Sequence, residues 1–203
     1  FLNADAAFEV MQGLRTLEVR LLAKCINTRI LVHFLNSHPE ITVHSHDVPG
    51  HPNEPLRERL MFLGLPAPLF TIEMPAVPRE AFQRFFDNLA PTFDHMISLG
   101  QSNTIVSCPA LTTHSELNLE DLLRAGIGPT TIRFAVGDED PRDLIAHLVD
   151  AARLTLDPAV PGFSGRFMPP EQAESLVAER YVELTDLLRP DNALLDKRVE
   201  PHA

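Results

Sequence analysis

Lysine is nearly missing from this chain of 203 residues: Lys24 and Lys197 are the whole supply. Arginine therefore carries almost all of the positive charge. Acidic residues still outnumber basic ones, for a formal net charge of -11. That balance argues against nucleic acid or an anionic membrane as the main partner, since both select a basic face. Cysteine is equally scarce. Cys25 and Cys108 alone cannot form a disulfide framework, so a reducing, cytoplasmic setting is the expectation. No apolar run approaches the roughly 20 residues that span a bilayer, and no signal-peptide pattern follows Phe1. What is present is an ordinary globular composition, 44% hydrophobic and 22% charged. It suffices for one domain with a real core, or one domain plus an arm.

Residues 3 to about 37 read as a long helix. Apolar residues recur at Phe8, Met11, Leu14, Leu21, Leu22, Cys25, Ile30 and Phe34, at three- and four-residue steps. Asn3 is a candidate cap, and Gly13 can divide the helix into two. Pro39 ends it, because the residue before a proline avoids helical geometry. Short strands are expected over 41–48, 69–74, 95–99, 104–108 and 131–136. Helices are expected near 55–62, 78–89 and 118–124. The strongest helix signal starts at Asp140-Pro141, a cap followed by proline in the first turn. Beyond Leu156, a proline- and glycine-rich linker leads into an amphipathic helix over 170–188. Residues 190–203 read as a polar, mobile tail. Strands alternating with helices predict an α/β fold of two layers, with a standalone ferredoxin-like module as the plainest version.

One stretch is more specific. It runs Cys108-Pro109-Ala110-Leu111-Thr112-Thr113-His114, then Ala125-Gly126-Ile127, then Ile132-Arg133-Phe134-Ala135-Val136-Gly137-Asp138-Glu139-Asp140, then Asp143-Leu144-Ile145. In this order and spacing it resembles the C-terminal part of the Cys/Met-metabolism family of pyridoxal-phosphate (PLP) enzymes. That family includes cystathionine synthases and lyases, methionine γ-lyase and homoserine-ester sulfhydrylases. The resemblance extends upstream through Gly13-Leu14-Arg15-Thr16-Leu17, Arg20, Asn36-Ser37-His38-Pro39 and Pro49-Gly50-His51-Pro52, covering about residues 1–156. The Thr-Thr-His and Ala-Gly-Ile elements look most like the sulfhydrylase branch.

The resemblance implies a fold-type-I C-terminal domain. Residues 1–37 would be the linking helix, 38–156 the substrate domain with a small, mostly antiparallel sheet and helices on one face, and 157–203 a linker with an appended amphipathic helix. It implies an amino-acid substrate, β/γ-elimination or replacement, and pyridoxal 5'-phosphate as cofactor. Arg133 matches the family's carboxylate-binding arginine, whose planar fork suits a carboxylate. Alone, an arginine in mid-strand would read as a surface ion pair. Thr104 and Asn103 fall in the segment that lines the substrate pocket. Thr104 stands for a small hydroxyl residue, and Asn103 stands where the family often has Glu or a basic residue. Leu65-Pro66-Ala67-Pro68 replaces the family's glycine-rich entry to the second strand.

The family's chemistry needs a cofactor lysine, and neither Lys24 nor Lys197 matches it. The expected partner is therefore an N-terminal PLP-binding chain or segment, in a hetero- or homo-oligomer. A non-catalytic regulatory or binding subunit derived from the family is the alternative. Several other features have plainer readings. His44 and His46, with His33, His38 and His51 nearby, have metal-compatible spacing, yet the family landmarks account for some of them and no metal is expected. Cys108 with His114 lacks any nucleophile signature, and a free Cys is usually a small buried hydrophobe. Phe82, Phe85 and Phe86 suit core or interface packing. Asp138-Glu139-Asp140 biases a helix start. The 170–188 helix fits docking on a partner as well as packing on its own domain.

Overall fold

The computed structural model describes residues 2–189. The chain opens with α1 (Ala4–Arg15), where the Asn3 side chain accepts the Ala6 N–H at 2.8 Å as the cap. The helix breaks at Thr16, not Gly13, with φ -106° and ψ 0°. The break strands the Gly13 carbonyl, which then accepts the Arg20 guanidinium at 2.9 Å and the Thr16 hydroxyl at 3.4 Å. Such partners decide where a helix can end. Helix α2 (Leu17–Asn36) follows and is enclosed over most of its length, whereas α1 buries no residue at all.

Five strands form one sheet in the order β1-β2-β5-β4-β3: β1 (Thr42–His44), β2 (Leu69–Glu73), β3 (Asp94–His95), β4 (Ile105–Ser107) and β5 (Ile132–Ala135). Every pairing is antiparallel except β3 with β4. Between them lie α3 (Glu54–Leu60), α4 (Arg79–Asp87) and α5 (Leu119–Arg124); α6 (Pro141–Thr155) and α7 (Pro170–Leu187) follow. The α/β architecture with a mostly antiparallel sheet is the expected one.

Strand alternation separates two faces. Val43, Ile72, Ile132, Phe70, Phe134 and Val106 are aligned by register on one face and are all buried. Phe134 stacks on Phe70 at 5.0 Å and takes the edge of Phe93 at 5.9 Å. Phe82, Phe85 and Phe86 of α4 and Leu144, Leu148 and Ala152 of α6 join the same core, so the phenylalanine stripe is core. The Asp140 cap and Pro141 start α6 as expected. All five strands are shorter than expected, β1 and β3 most of all. The Ser45 hydroxyl accepts the Asp47 N–H at 3.2 Å, which turns the chain after His44. The parallel pairing of β3 covers only Asp94 and His95.

Helix α7 packs back on its own chain, lying along α2 and burying Ala173, Val177 and Leu187. The linker before it is pinned by His38, which is 1% exposed. The His38 ring packs against Phe163 at 4.2 Å and Phe167 at 4.6 Å. Its Nδ1 accepts the Glu40 N–H at 3.1 Å, so Nε2 carries the proton toward the Phe163 carbonyl at 2.9 Å. Both nitrogens are committed to the neutral ring. Burial pushes the His38 pKa down, against the raising influence of the Phe163 carbonyl and Glu40. The unfolded chain then binds more protons than the folded one below about pH 6.5. Stability is expected to be full above that pH and to fall as pH drops through the folded pKa. Urea unfolding across pH 5–7.5 reads this, and His38→Asn should flatten part of the slope. His33, also lowered mainly by burial, adds to the same slope. An equally steep slope in His38→Asn would contradict the assignment. The tail expected over 190–203 lies outside the described residues.

Candidate functional site

The second face of the sheet carries polar side chains. Register aligns His44, Thr71, Arg133 and Ser107 in one row across β1, β2, β5 and β4. Arg133 sits near the middle of that row because odd positions of β5 point away from the core that holds Ile132 and Phe134. Its Nη2 donates to the Ser98 carbonyl at 3.3 Å. Its Nε is buried and has no hydrogen-bond partner. A guanidinium presents five donors, and a buried donor left unpaired costs about 1–3 kcal/mol. An incoming carboxylate would relieve that cost and fit the planar fork.

The segment joining β3 to β4 shapes the surroundings of Arg133. Asn103 donates to the Asp94 carboxylate, next to His95 at the sheet edge. Thr104 is fully buried. It is two residues from the inward-facing Val106, so alternation points it to the face opposite Arg133. Its hydroxyl donates to Glu139 Oε2 at 2.9 Å and accepts the Gly137 N–H at 3.0 Å, while its own N–H donates to Glu139 Oε1. The structure therefore brings Arg133 together with Ser98, not with Thr104.

Gly137 allows the two loops to meet. A Cβ there would overlap the Ser102 carbonyl oxygen, the Asn103 carbonyl carbon and the Glu139 carboxylate. The adjacent Asp138 N–H donates to the Ser102 carbonyl at 2.8 Å. Asn27 of α2 donates to the carbonyls of Gly137 and Glu139 at 3.2 and 2.7 Å, fixing the same junction from below. The acidic run thus does more than start α6: Asp140 caps it, and Glu139 turns inward to Thr104.

The remaining candidates separate. Cys25 and Cys108 are buried thiols. Burial pushes Cys25 up to about 11 and raises Cys108 as well, so neither is an activated nucleophile. His114 Nδ1 pairs with the Thr113 hydroxyl at 2.8 Å. His44 Nε2 lies 3.9 Å from Glu73, and the His46 ring lies 5.2 Å from His51. Among the described residues no three metal-binding side chains converge.

Lys24 is the only lysine among the described residues. It is 4% exposed, and its Nζ donates to the carbonyls of Gly100 and Gln101 at 2.9 and 2.6 Å. A lysine so enclosed and committed does not fit the position that carries a cofactor.

Comparison with known proteins gives the family. Residues 1–153 match the model of the Cys/Met metabolism PLP-dependent enzymes, and the chain belongs to that family. It is 33% identical over 147 residues to O-acetyl-L-homoserine sulfhydrylase 1 of Thermus thermophilus, covering 71% of this chain and 34% of that protein. It is 31% identical over 153 residues to L-methionine gamma-lyase of Pseudomonas deceptionensis, covering 75% and 37%. Among solved structures, a putative O-acetylhomoserine (thiol)-lyase of Campylobacter jejuni is similar, with TM-score 0.65 and 33% identity over 73% of this chain and 35% of that one. That protein holds an N'-pyridoxyl-lysine-5'-monophosphate. The chain thus spans about a third of the length of the curated relatives it matches. Helix α7 lies beyond the matched residues. Among the described residues no helix is long and apolar enough to cross a membrane.

Proposed function

We propose that this chain supplies the substrate-carboxylate side of a PLP-dependent enzyme, whose cofactor lysine sits on another chain or segment. The reaction is β/γ-elimination or replacement on an amino acid, with sulfhydrylase-like γ-replacement placed first. One observation carries the reading: Arg133 projects from the polar sheet face with a buried, unpartnered Nε. When bound, the cofactor supplies an electron sink. This chain's part is to hold the substrate carboxylate on Arg133. Asn103 forms the pocket rim, and Thr104 supports the wall by anchoring Glu139.

Helix α1 supports the need for a further segment. Phe8, Met11 and Leu14 are each more than half exposed and recur at three-residue steps. An apolar stripe of this kind marks a contact surface, and the segment bearing the cofactor is its proposed cover. The sulfhydrylase preference rests on the resemblance to enzymes such as the Thermus protein.

The test is reconstitution. This chain, the cofactor-bearing segment and their mixture are each assayed with O-acetylhomoserine plus sulfide, and with methionine. Turnover by the mixture alone is expected. A silent mixture, with this chain eluting by itself, would favour the non-catalytic subunit.

A further inference from the structure

The segment over 98–104 is fixed by groups far away in sequence. Ser98 is held by Arg133, Ser102 by Asp138, and Thr104 by Glu139. In the middle stands Lys24, whose ammonium draws the carbonyls of Gly100 and Gln101 inward from 76 and 77 residues away. A buried ammonium costs several kcal/mol unless it is compensated. Here two carbonyls and the nearby carboxylates of Asp138 and Glu139 offset that cost, although burial still lowers the lysine pKa. A surface loop can be held by neutral donors, so a buried cation here calls for a reason.

We infer that Lys24 is a positioning residue for carboxylate recognition by Arg133. Clamping Gly100 and Gln101 sets where the Ser98 carbonyl lies, two residues away. That carbonyl holds Nη2 and so fixes the rotation of the guanidinium. The fork is thereby left with Nε–H and its remaining Nη hydrogens directed at a ligand rather than free to swing. Preorganised donors bind more tightly because the ordering cost is met before the ligand arrives. The inference rests on the carboxylate reading of Arg133 given above.

The experiment titrates this chain with L-norleucine, following the arginine Nε–H signals by NMR. Pentylamine, the same molecule without its carboxylate, is the control. The wild type is expected to shift the Arg133 Nε–H with norleucine and not with pentylamine. Arg133→Ala should abolish binding. Lys24→Met should weaken norleucine about tenfold, or 1.4 kcal/mol, and speed amide exchange over residues 99–102. Lys24→Arg, which keeps a long-reaching cation, should stay within about threefold of wild type on the same scale. If Lys24→Met fails to fold, Lys24→Gln replaces it, with a loss of at least about threefold expected. Loss of binding in Arg133→Ala, with norleucine affinity intact in the Met or Gln variant, overturns the role of Lys24 alone. No carboxylate-dependent binding to wild type, or binding unchanged in Arg133→Ala, overturns the carboxylate reading itself.

Discussion

Replacing Arg133 with alanine in the reconstituted enzyme is expected to raise KM for the amino-acid substrate about 100-fold. That corresponds to about 2.8 kcal/mol at 1.4 kcal/mol per tenfold change. It falls within the 1.5–3 kcal/mol typical of a hydrogen bond to a charged group. The cofactor spectrum should not change, because Arg133 is proposed to touch the substrate carboxylate and the cofactor lysine is proposed to lie on another segment. Truncation also exposes the Ser98 carbonyl, which now accepts from Nη2 at 3.3 Å. A carboxylate brought near that oxygen meets repulsion as well as a missing donor. Arg133→Lys should recover little, since an ammonium is a point charge without the planar fork. Steady-state kinetics on the two variants decide the matter. A change in KM below about threefold in Arg133→Ala would remove Arg133 from this role.

Asp47→Ala is expected to cost about 3–5 kcal/mol of stability, the range for breaking a buried ion pair by removing one partner. The Asp47 side chain is 4% exposed and lies among three cationic or ionisable groups. Arg29 reaches it with Nε at 3.2 Å, Arg57 with Nη1 at 3.6 Å and His33 with Nε2 at 3.7 Å. The Arg57 guanidinium also donates to the Gly64 carbonyl. Arg29 continues to Glu183 of α7, which accepts from Arg180 at 3.0 Å as well. The network therefore ties α2, the turn after β1, α3 and α7 together. Removing its central carboxylate leaves two guanidiniums poorly solvated with one fewer anion. Asp47→Asn keeps the volume and one acceptor oxygen, though its NH2 would face guanidinium donors, so it should cost less than the alanine variant. Urea midpoints at pH 7.5 measure both. A loss under 1 kcal/mol in Asp47→Ala would show that solvent already screens the cluster.

Local chemistry made much of the fold legible. The Asn3 cap and the Asp140-Pro141 start of α6 each act within one helical turn, so the sequence alone indicates them. The resemblance singled out Arg133, and the strand it predicts is β5, whose alternation sends Phe134 into the core and Arg133 to the opposite face. The failures involve distant partners. Gly13 is the weak helix former that suggests a break, yet the break falls at Thr16, where Arg20 and Thr16 satisfy the freed Gly13 carbonyl. Thr104 sits beside Asn103 in sequence, yet alternation sends it to the opposite face and into the grip of Glu139. Ser98 contributes through its backbone, to which side-chain motifs are blind. Sequence alone says of Lys24 only that it does not match the family's cofactor lysine. Its bonds to Gly100 and Gln101 span too much sequence for any local pattern to reveal.

The division of labour is tested most directly by asking which lysine carries the cofactor. This chain is incubated with pyridoxal 5'-phosphate, alone and with the cofactor-bearing segment, reduced with borohydride, digested and weighed by peptide mass. The account predicts no stoichiometric pyridoxyl group on Lys24 or Lys197, and one per assembled unit on the other segment. One pyridoxyl group per chain at Lys24 or Lys197 would contradict it.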